Sequence, residues 1–449
     1  VRRLRRVLGL PDLIVVAAAA MGPAFSIATT MSAMIAEAGR WTWLALALVV
    51  VLMVMVAAGY RRLGERWPDA GSSYVWIARA FGHTAGAYGA WVLIVANIFA
   101  VLATALPAGT YTLDLIAPHL ATNAAAAAIV GSLWTIASAA LLWCGLRPTA
   151  ALAAMLLAAE IVVLGGAAIL AALHPHAGAV AFTPTPPVWG GLLGAVVVGI
   201  WMIDGWEVSA STAEESVGSG GISGAGGMLG LILTSVVMLA AIAAFSRLGS
   251  SAGFDAHQSD ALSYIGGLLG GAWPPVLGAT VLVSLAASLQ TTLVYLSRSL
   301  FAMGRDGLLP ASLGRLDRRD EPAAAVLSIA ALSVGLCLVS GLSADANGAF
   351  AIALQGTSWF LGVLFALSAA AAVRLFARDP TARWSGVILP GTAALLLVGI
   401  LAAALVHEDA APRVFIVVSA IIGLPLAVLR GRAARRLSPA GGIRIGSQP

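Results

Sequence analysis

The sequence predicts an all-α integral membrane protein with twelve transmembrane helices, the first and sixth of them broken in mid-membrane. Three observations carry this. The 449 residues are 60% hydrophobic and only 10% charged, where a soluble domain has roughly 25% charged residues. Apolar runs of about 20 residues, the length that crosses a bilayer, recur along the whole chain. Two of these runs are interrupted, at Met21-Gly22-Pro23-Ala24-Phe25-Ser26 and at Trp201-Met202-Ile203-Asp204-Gly205-Trp206-Glu207.

The expected spans are 10–36, 41–60, 84–115, 121–142, 149–173 and 188–211, then 226–246, 271–296, 323–342, 349–373, 385–406 and 414–429. In the first, Pro23 removes a backbone donor and Gly22 permits unwound backbone. The sixth carries Gly205 between two carboxylates. Backbone groups freed by such breaks are tolerated in a bilayer only where protein or a water-filled cavity satisfies them. Two breaks at corresponding places in two halves point to a substrate site near the midplane.

Arginine placement orients the spans. All 25 basic residues are Arg, and with both termini on one side 22 of them fall there. Only Arg40, Arg247 and Arg413 lie on the other side. The Arg-rich side is therefore cytoplasmic, and Val-Arg-Arg-Leu-Arg-Arg at the start reads as a retained cytoplasmic tail. The expected location is the plasma (inner) membrane. The net charge of +5 follows topology and calls for no nucleic acid. Lys is absent, so no Lys serves coupling, a Schiff base or a phosphate-binding Gly-Lys-Ser/Thr loop.

An internal repeat is expected. Gly22 and Gly205 lie 183 positions apart, and Ser73-Tyr74 lies 190 positions before Ser263-Tyr264. Residues 10–173 and 188–373 then form two five-helix halves, inverted because each holds an odd number of spans. Residues 385–429 add two helices within a single transporter domain, 1–430, and 431–449 form a cytoplasmic tail. The connectors 67–82 and 250–270 read as surface helices, gates or ordinary links. Cys144 and Cys337 read as small core hydrophobes. The six His lie near loops or span ends, and no metal site is expected.

Four segments carry a resemblance. They are Met21-Gly22-Pro23-Ala24; Trp67-Pro68-Asp69-Ala70-Gly71-Ser72-Ser73-Tyr74 with Phe81-Gly82; Trp201 to Glu207 with Ala213-Glu214-Glu215; and Phe301-Ala302-Met303-Gly304-Arg305-Asp306-Gly307-Leu308-Leu309-Pro310. In this order and spacing they resemble the amino acid–polyamine–organocation (APC) superfamily. The resemblance implies a leucine-transporter-type 5+5 inverted repeat, alternating access, and small amines, amino acids or polyamines as substrates. It also implies that helix 1 cradles a carboxylate with amides and helix 6 takes an ammonium with carbonyls, as helix dipoles favour. Helices 11 and 12 contribute to homodimers in such proteins.

Pro23 and Ala24 depart from the superfamily's Gly-Ser/Ala-Gly stretch. Pro23 lacks an amide that would hold a carboxylate, which favours an amine, a polyamine or a modified amino acid. The expected substrate-binding set is Met21, Gly22, Pro23, Ala24, Phe25, Ser26, Asn97, Trp201, Ile203, Asp204 and Gly205. Trp201 resembles an aromatic that closes over substrate in the arginine/agmatine branch, and Asn97 one that approaches it. As a lone membrane Asn, Asn97 also reads as interhelical glue. Charged side chains at membrane depth are costly and usually functional. Glu207 resembles a coupling Glu of that branch, or else ties the broken backbone together. Glu160 is a second candidate for proton coupling or pairs with a distant helix. The coupling ion is expected to be a proton, with sodium as the alternative at Ser288, Thr291 and Thr292. Glu214-Glu215 reads as a solvated end or an inner-gate pair. The function expected is proton-coupled import, with an exchanger as the alternative and a sensor or membrane enzyme behind it.

Overall fold

The computed structural model describes residues 3–218, 221–342, 346–407 and 410–437. Among these the regular elements are helical, and strand-type pairing is limited to an isolated parallel bridge between Leu8 and Ser216. Ten helical runs are long and apolar enough to cross a bilayer, the first of them, Leu10–Arg66, holding a break and a turn.

That first run divides into α1 (Leu10–Ala20), α2 (Pro23–Ala38) and α3 (Thr42–Arg66). Asp12 starts α1 by accepting the Gly9 N–H at 2.8 Å, the usual service of an acid in a first turn. Next come α4 (Ser73–Phe81), α5 (His83–Ile116), α6 (Ala124–Trp143) and α7 (Leu146–Leu173). Asn123 caps α6 by accepting the Ala126 N–H at 3.0 Å. The expected sixth span is α8 (Trp189–Met202) followed by a single turn, α9 (Val208–Ser211). The rest comprises α10 (Gly221–Phe245), α11 (Ser251–Ala256), α12 (Ala261–Leu269), α13 (Trp273–Arg305), α14 (Ala323–Ser340), α15 (Ala346–Phe376), α16 (Leu389–His407) and α17 (Ala410–Leu437).

Packing sorts these helices into centre and periphery. The most apolar stretch of α5 is 78% buried, whereas those of α16 and α17 are 22% buried and leave most of their surface to lipid. α1 packs on α7, α10 and α13, and α2 packs on α8 and α12. α5 runs 34 residues, about 51 Å at 1.5 Å per residue, which exceeds a hydrocarbon core of about 30 Å and is taken up by tilt, kinking or ends that reach beyond it.

Several expectations change. The connector 67–82 is not a surface helix: Tyr74, Val75, Trp76 and Ile77 of α4 are fully or almost fully buried, because an aromatic-rich stretch gains more against α5 and α15 than at an interface. In 250–270, Phe254, Leu262 and Ile265 are buried against the bundle. Cys144 is exposed where α6 ends, not in the core; Cys337 is buried. α17 continues to Leu437, so the expected tail begins as helix, and residues 438–449 lie outside the described residues.

Candidate functional site

The two breaks meet. Gly22 sits at φ +51 and Gly205 at φ +93, a region costly for any residue with a Cβ. A Cβ on Gly205 would stand 2.8 Å from the carbonyl carbon and oxygen of Ala20, and one on Gly22 would stand 3.2 Å from Ser284 Oγ. Glycine thus serves twice, by turning the chain and by letting α1 and the α8–α9 break touch through their backbones. Gly205→Ala is expected to cost about 1–2 kcal/mol for the left-handed backbone alone and to push α8 off α1. A fall in the thermal midpoint checks this.

Side chains finish the breaks. The Ser26 hydroxyl donates to the Met21 carbonyl at 2.7 Å, and that of Ser288 donates to the Ala20 carbonyl at 3.1 Å. The Gly205 N–H donates to Glu207 Oε2 at 3.0 Å. Glu207 therefore ties the second break together from a position 2% exposed. In the first, the Ala24 N–H donates to Glu160 Oε1 at 2.5 Å, and the Phe25 N–H donates to Ser284 Oγ at 3.1 Å. Glu160 is fully buried and pairs with α2, 136 positions away in the chain.

Where the breaks meet there is a cavity of about 30 Å³ open to the centre of a water molecule, room for one or two waters. A larger ligand enters only if lining side chains move. Of the expected residues, Met21, Phe25, Ser26, Asn97, Trp201, Asp204, Gly205 and Glu207 line it, as do Ser288, Thr291 and Thr292. Gly22, Pro23, Ala24, Ile203 and Glu160 do not; they shape it from behind. Thr104, Tyr295 and Leu361 also line it. None of these three stands out in its helix by sequence, because one hydroxyl or Leu on a span is ordinary.

The lining has a marked electrostatic character. It includes Asp204 and Glu207 but no Arg or His. Trp201 meets Phe25 edge-to-face at 6.4 Å, and its indole N–H has no hydrogen-bond partner. Asn97 donates to the Leu93 carbonyl at 3.0 Å, so it both lines the cavity and bonds within its own helix. Thr291 donates to the carbonyls of Ala287 and Ser288, and Thr292 donates to that of Ser288, as Ser and Thr commonly do in helices.

Towards the Arg-rich end an aromatic plug closes the cavity. Tyr60 contacts Trp76 at 5.2 Å and Trp206 at 5.1 Å edge-to-face, and Trp206 stacks on Phe365 at 5.6 Å. Beyond it lies a charged lock drawn from three segments. Arg305 donates to both oxygens of Glu214, at 2.8 and 3.1 Å, and to both of Asp69, at 3.0 Å each. Asp306 lies 3.5 Å from Arg305 Nε and accepts the Tyr74 hydroxyl at 2.9 Å. Three acids thus share one Arg. Burial, and then the neighbouring Glu214 and Asp306, push the Asp69 carboxyl up to about 7, against the pull of Arg305. A second cluster lies deeper: fully buried Arg298 donates to Glu215 at 2.9 and 3.0 Å and to Glu321 at 2.8 Å. The Glu215 carbonyl in turn accepts the Val7 N–H at 2.8 Å, which fastens the N-terminal segment beneath the bundle. Glu214 and Glu215 are paired and so are not a solvated end.

Comparison with known proteins agrees with this architecture. The family model described as "Amino acid permease" matches residues 8–425. A relative, the branched-chain amino acid permease BcaP of Lactococcus lactis subsp. cremoris (strain MG1363), is 24% identical over 318 residues, 62% of this chain and 64% of that permease. The aligned part thus spans somewhat less than two thirds of the relative's length. A multi-pass helical bundle with two broken helices, matched by that model over nearly its whole length, belongs to the amino acid permease family of the APC superfamily.

Proposed function

We propose that the protein is a secondary active transporter importing small ammonium-bearing solutes with a proton, by alternating access. The observation that carries this is the cavity at the meeting of the two breaks, lined by Asp204 and Glu207 and by no cationic side chain. A substrate ammonium supplies the missing positive charge. Asp204 faces it, and the Trp201 face adds a cation–π attraction of about 0.5–2 kcal/mol. Glu207 carries the coupled proton. When it is protonated, its bond to the Gly205 N–H weakens and the second break is free to rearrange.

In this reading the chain has twelve spans in a 5+5 inverted repeat. α1–α2 form span 1 and α8–α9 span 6; residues 10–173 and 188–373 are the two halves; α16 and α17 are peripheral. The Arg-rich end, with both termini, faces the cytoplasm of the plasma (inner) membrane, and the Arg305 lock is the closed inner gate. Membership of a permease family supports transport over catalysis. The relative's name makes branched-chain amino acids and their derivatives the first compounds to try.

The lock gives a pH prediction. The groups facing Asp69 are Arg305, Glu214, Asp306, Tyr74 and, farther off, Arg79. Its carboxyl, ordinarily near 3.8, is raised to about 7 in the closed lock. Stability from its protonation is therefore complete below about pH 4 and is lost as pH rises through about 7. Acidifying purified protein from pH 8 to 5.5 is expected to raise its thermal midpoint, and Asp69→Asn should flatten that rise. An unchanged slope in the variant excludes Asp69 as the titrating group.

Proteoliposomes test the function. Uptake of labelled leucine or 3-methylbutylamine should rise several-fold with an acidic exterior, collapse with a protonophore and be insensitive to sodium. Uptake that needs internal substrate and ignores the proton gradient would establish an exchanger. Absence of any saturable flux would refute transport of these solutes.

A further inference from the structure

The amino end of α2 is already filled. A helix leaves its first N–H groups without partners inside the helix, and they attract anions. In α2 each is accounted for. Pro23 has none. The N–H of Ala24 is bonded to Glu160, that of Phe25 to Ser284, and that of Ser26 to the Gly22 carbonyl at 2.8 Å. Glu160 on α7 and Ser284 on α13 are both fully buried, and neither lines the cavity. Ala153 and Leu157, on the same helix as Glu160, form a small apolar cluster with Ala18, Ala19 and Ala287. Among the described residues no Arg pairs with Glu160, and the Ala24 N–H of the helix end holds its Oε1.

The cavity offers a carboxylate no charged donor in exchange. The Gly205 N–H is bonded to Glu207 and one Asn97 amide N–H to Leu93, which leaves neutral donors such as the Trp201 indole N–H and the Tyr295 hydroxyl. Neutral donors beside two acids do not offset the desolvation of a carboxylate.

We infer that Glu160 is a specificity-determining residue. It fills the α2 end with a carboxylate of the protein's own, so the cavity takes an ammonium compound whose acid group is absent or masked, such as an alkylamine or an amino-acid amide. This rests on the transport reading above. Glu160 acts through the Ala24 amide without touching substrate.

The test compares leucine with leucinamide and 3-methylbutylamine, which is leucine without its carboxylate. Calorimetric titration of the purified full chain should give at least tenfold tighter binding of the amine and the amide than of leucine. Glu160→Ala frees the Ala24 N–H and should improve leucine binding at least tenfold relative to the amine. Glu160→Gln keeps an acceptor there and should preserve the original order. Leucine binding as tightly as the amine in the unmodified protein overturns the inference, as does a folded Glu160→Ala with unchanged preference. If Glu160→Ala fails to fold, the unmodified protein and the Gln variant still decide. Saturable leucine uptake with the amine ignored removes this inference and leaves transport standing; no binding or flux of any of the three removes both.

Discussion

Asp204→Asn is expected to weaken substrate binding by roughly 30-fold or more while leaving the fold intact. Truncating one partner of a buried, hydrogen-bonded charge pair costs about 2–5 kcal/mol, and each 1.4 kcal/mol is tenfold. Asp204 lines the cavity within the α8–α9 break, where no Arg or His faces it. Among the described lining residues no cation pairs with it, and in the proposed reading a substrate ammonium supplies one. The same argument predicts that the unliganded variant is at least as stable as the original, because an unpaired, half-buried carboxylate is costly. Function and stability should therefore move in opposite directions, a known trade at active sites. Titration calorimetry and a melting curve on the same preparation check both. A loss of binding accompanied by a large loss of stability would mean that Asp204 is structural.

Arg298→Ala should have the largest effect on stability. Arg298 is fully buried and serves Glu215 and Glu321 at once. Removing it leaves two carboxylates facing each other without a counter-charge. Breaking a buried pair costs about 3–5 kcal/mol. Because the Glu215 carbonyl also holds Val7, the N-terminal segment should come loose and become open to protease. The combined variant Arg298→Met, Glu215→Leu, Glu321→Leu removes all the charges together and should recover much of the midpoint, as apolar replacement of whole ion clusters often does. If Arg298→Ala melts like the original, the cluster does not hold this end closed.

The sequence was most informative where chemistry is punctuated. Gly22-Pro23 and Asp204-Gly205 stand out because Gly, Pro and Asp are conspicuous inside apolar helices, and both breaks lie where those residues are. Arg placement separated the two ends of the bundle for the same reason. What stayed hidden depends on long-range geometry. Glu160 was noticed as an acid in mid-helix, but its partner is a backbone amide 136 residues away, and every residue carries such a group. Arg305, Asp69, Glu214 and Asp306 were all visible as charges, yet nothing local says that four charges from three segments converge. Thr104, Tyr295 and Leu361 were missed because a helix that is apolar all round does not reveal which face meets a cavity. For the 67–82 connector the sequence leaves surface helix, gate and ordinary link open, because amphipathicity does not distinguish an interface from the underside of a bundle.

The central claim is that substrate occupies the cavity where the two breaks meet, and cysteine protection tests it most directly. The chain has only two Cys, 144 and 337. Cys144→Ser and Cys337→Ser give a clean background, and Thr292→Cys then places one thiol on the cavity wall. A small methanethiosulfonate should label it, and whichever of leucine, leucinamide or 3-methylbutylamine drives uptake should slow labelling at least tenfold at saturation. Labelling at an unchanged rate under a saturating, transported ligand would place the substrate elsewhere in the protein.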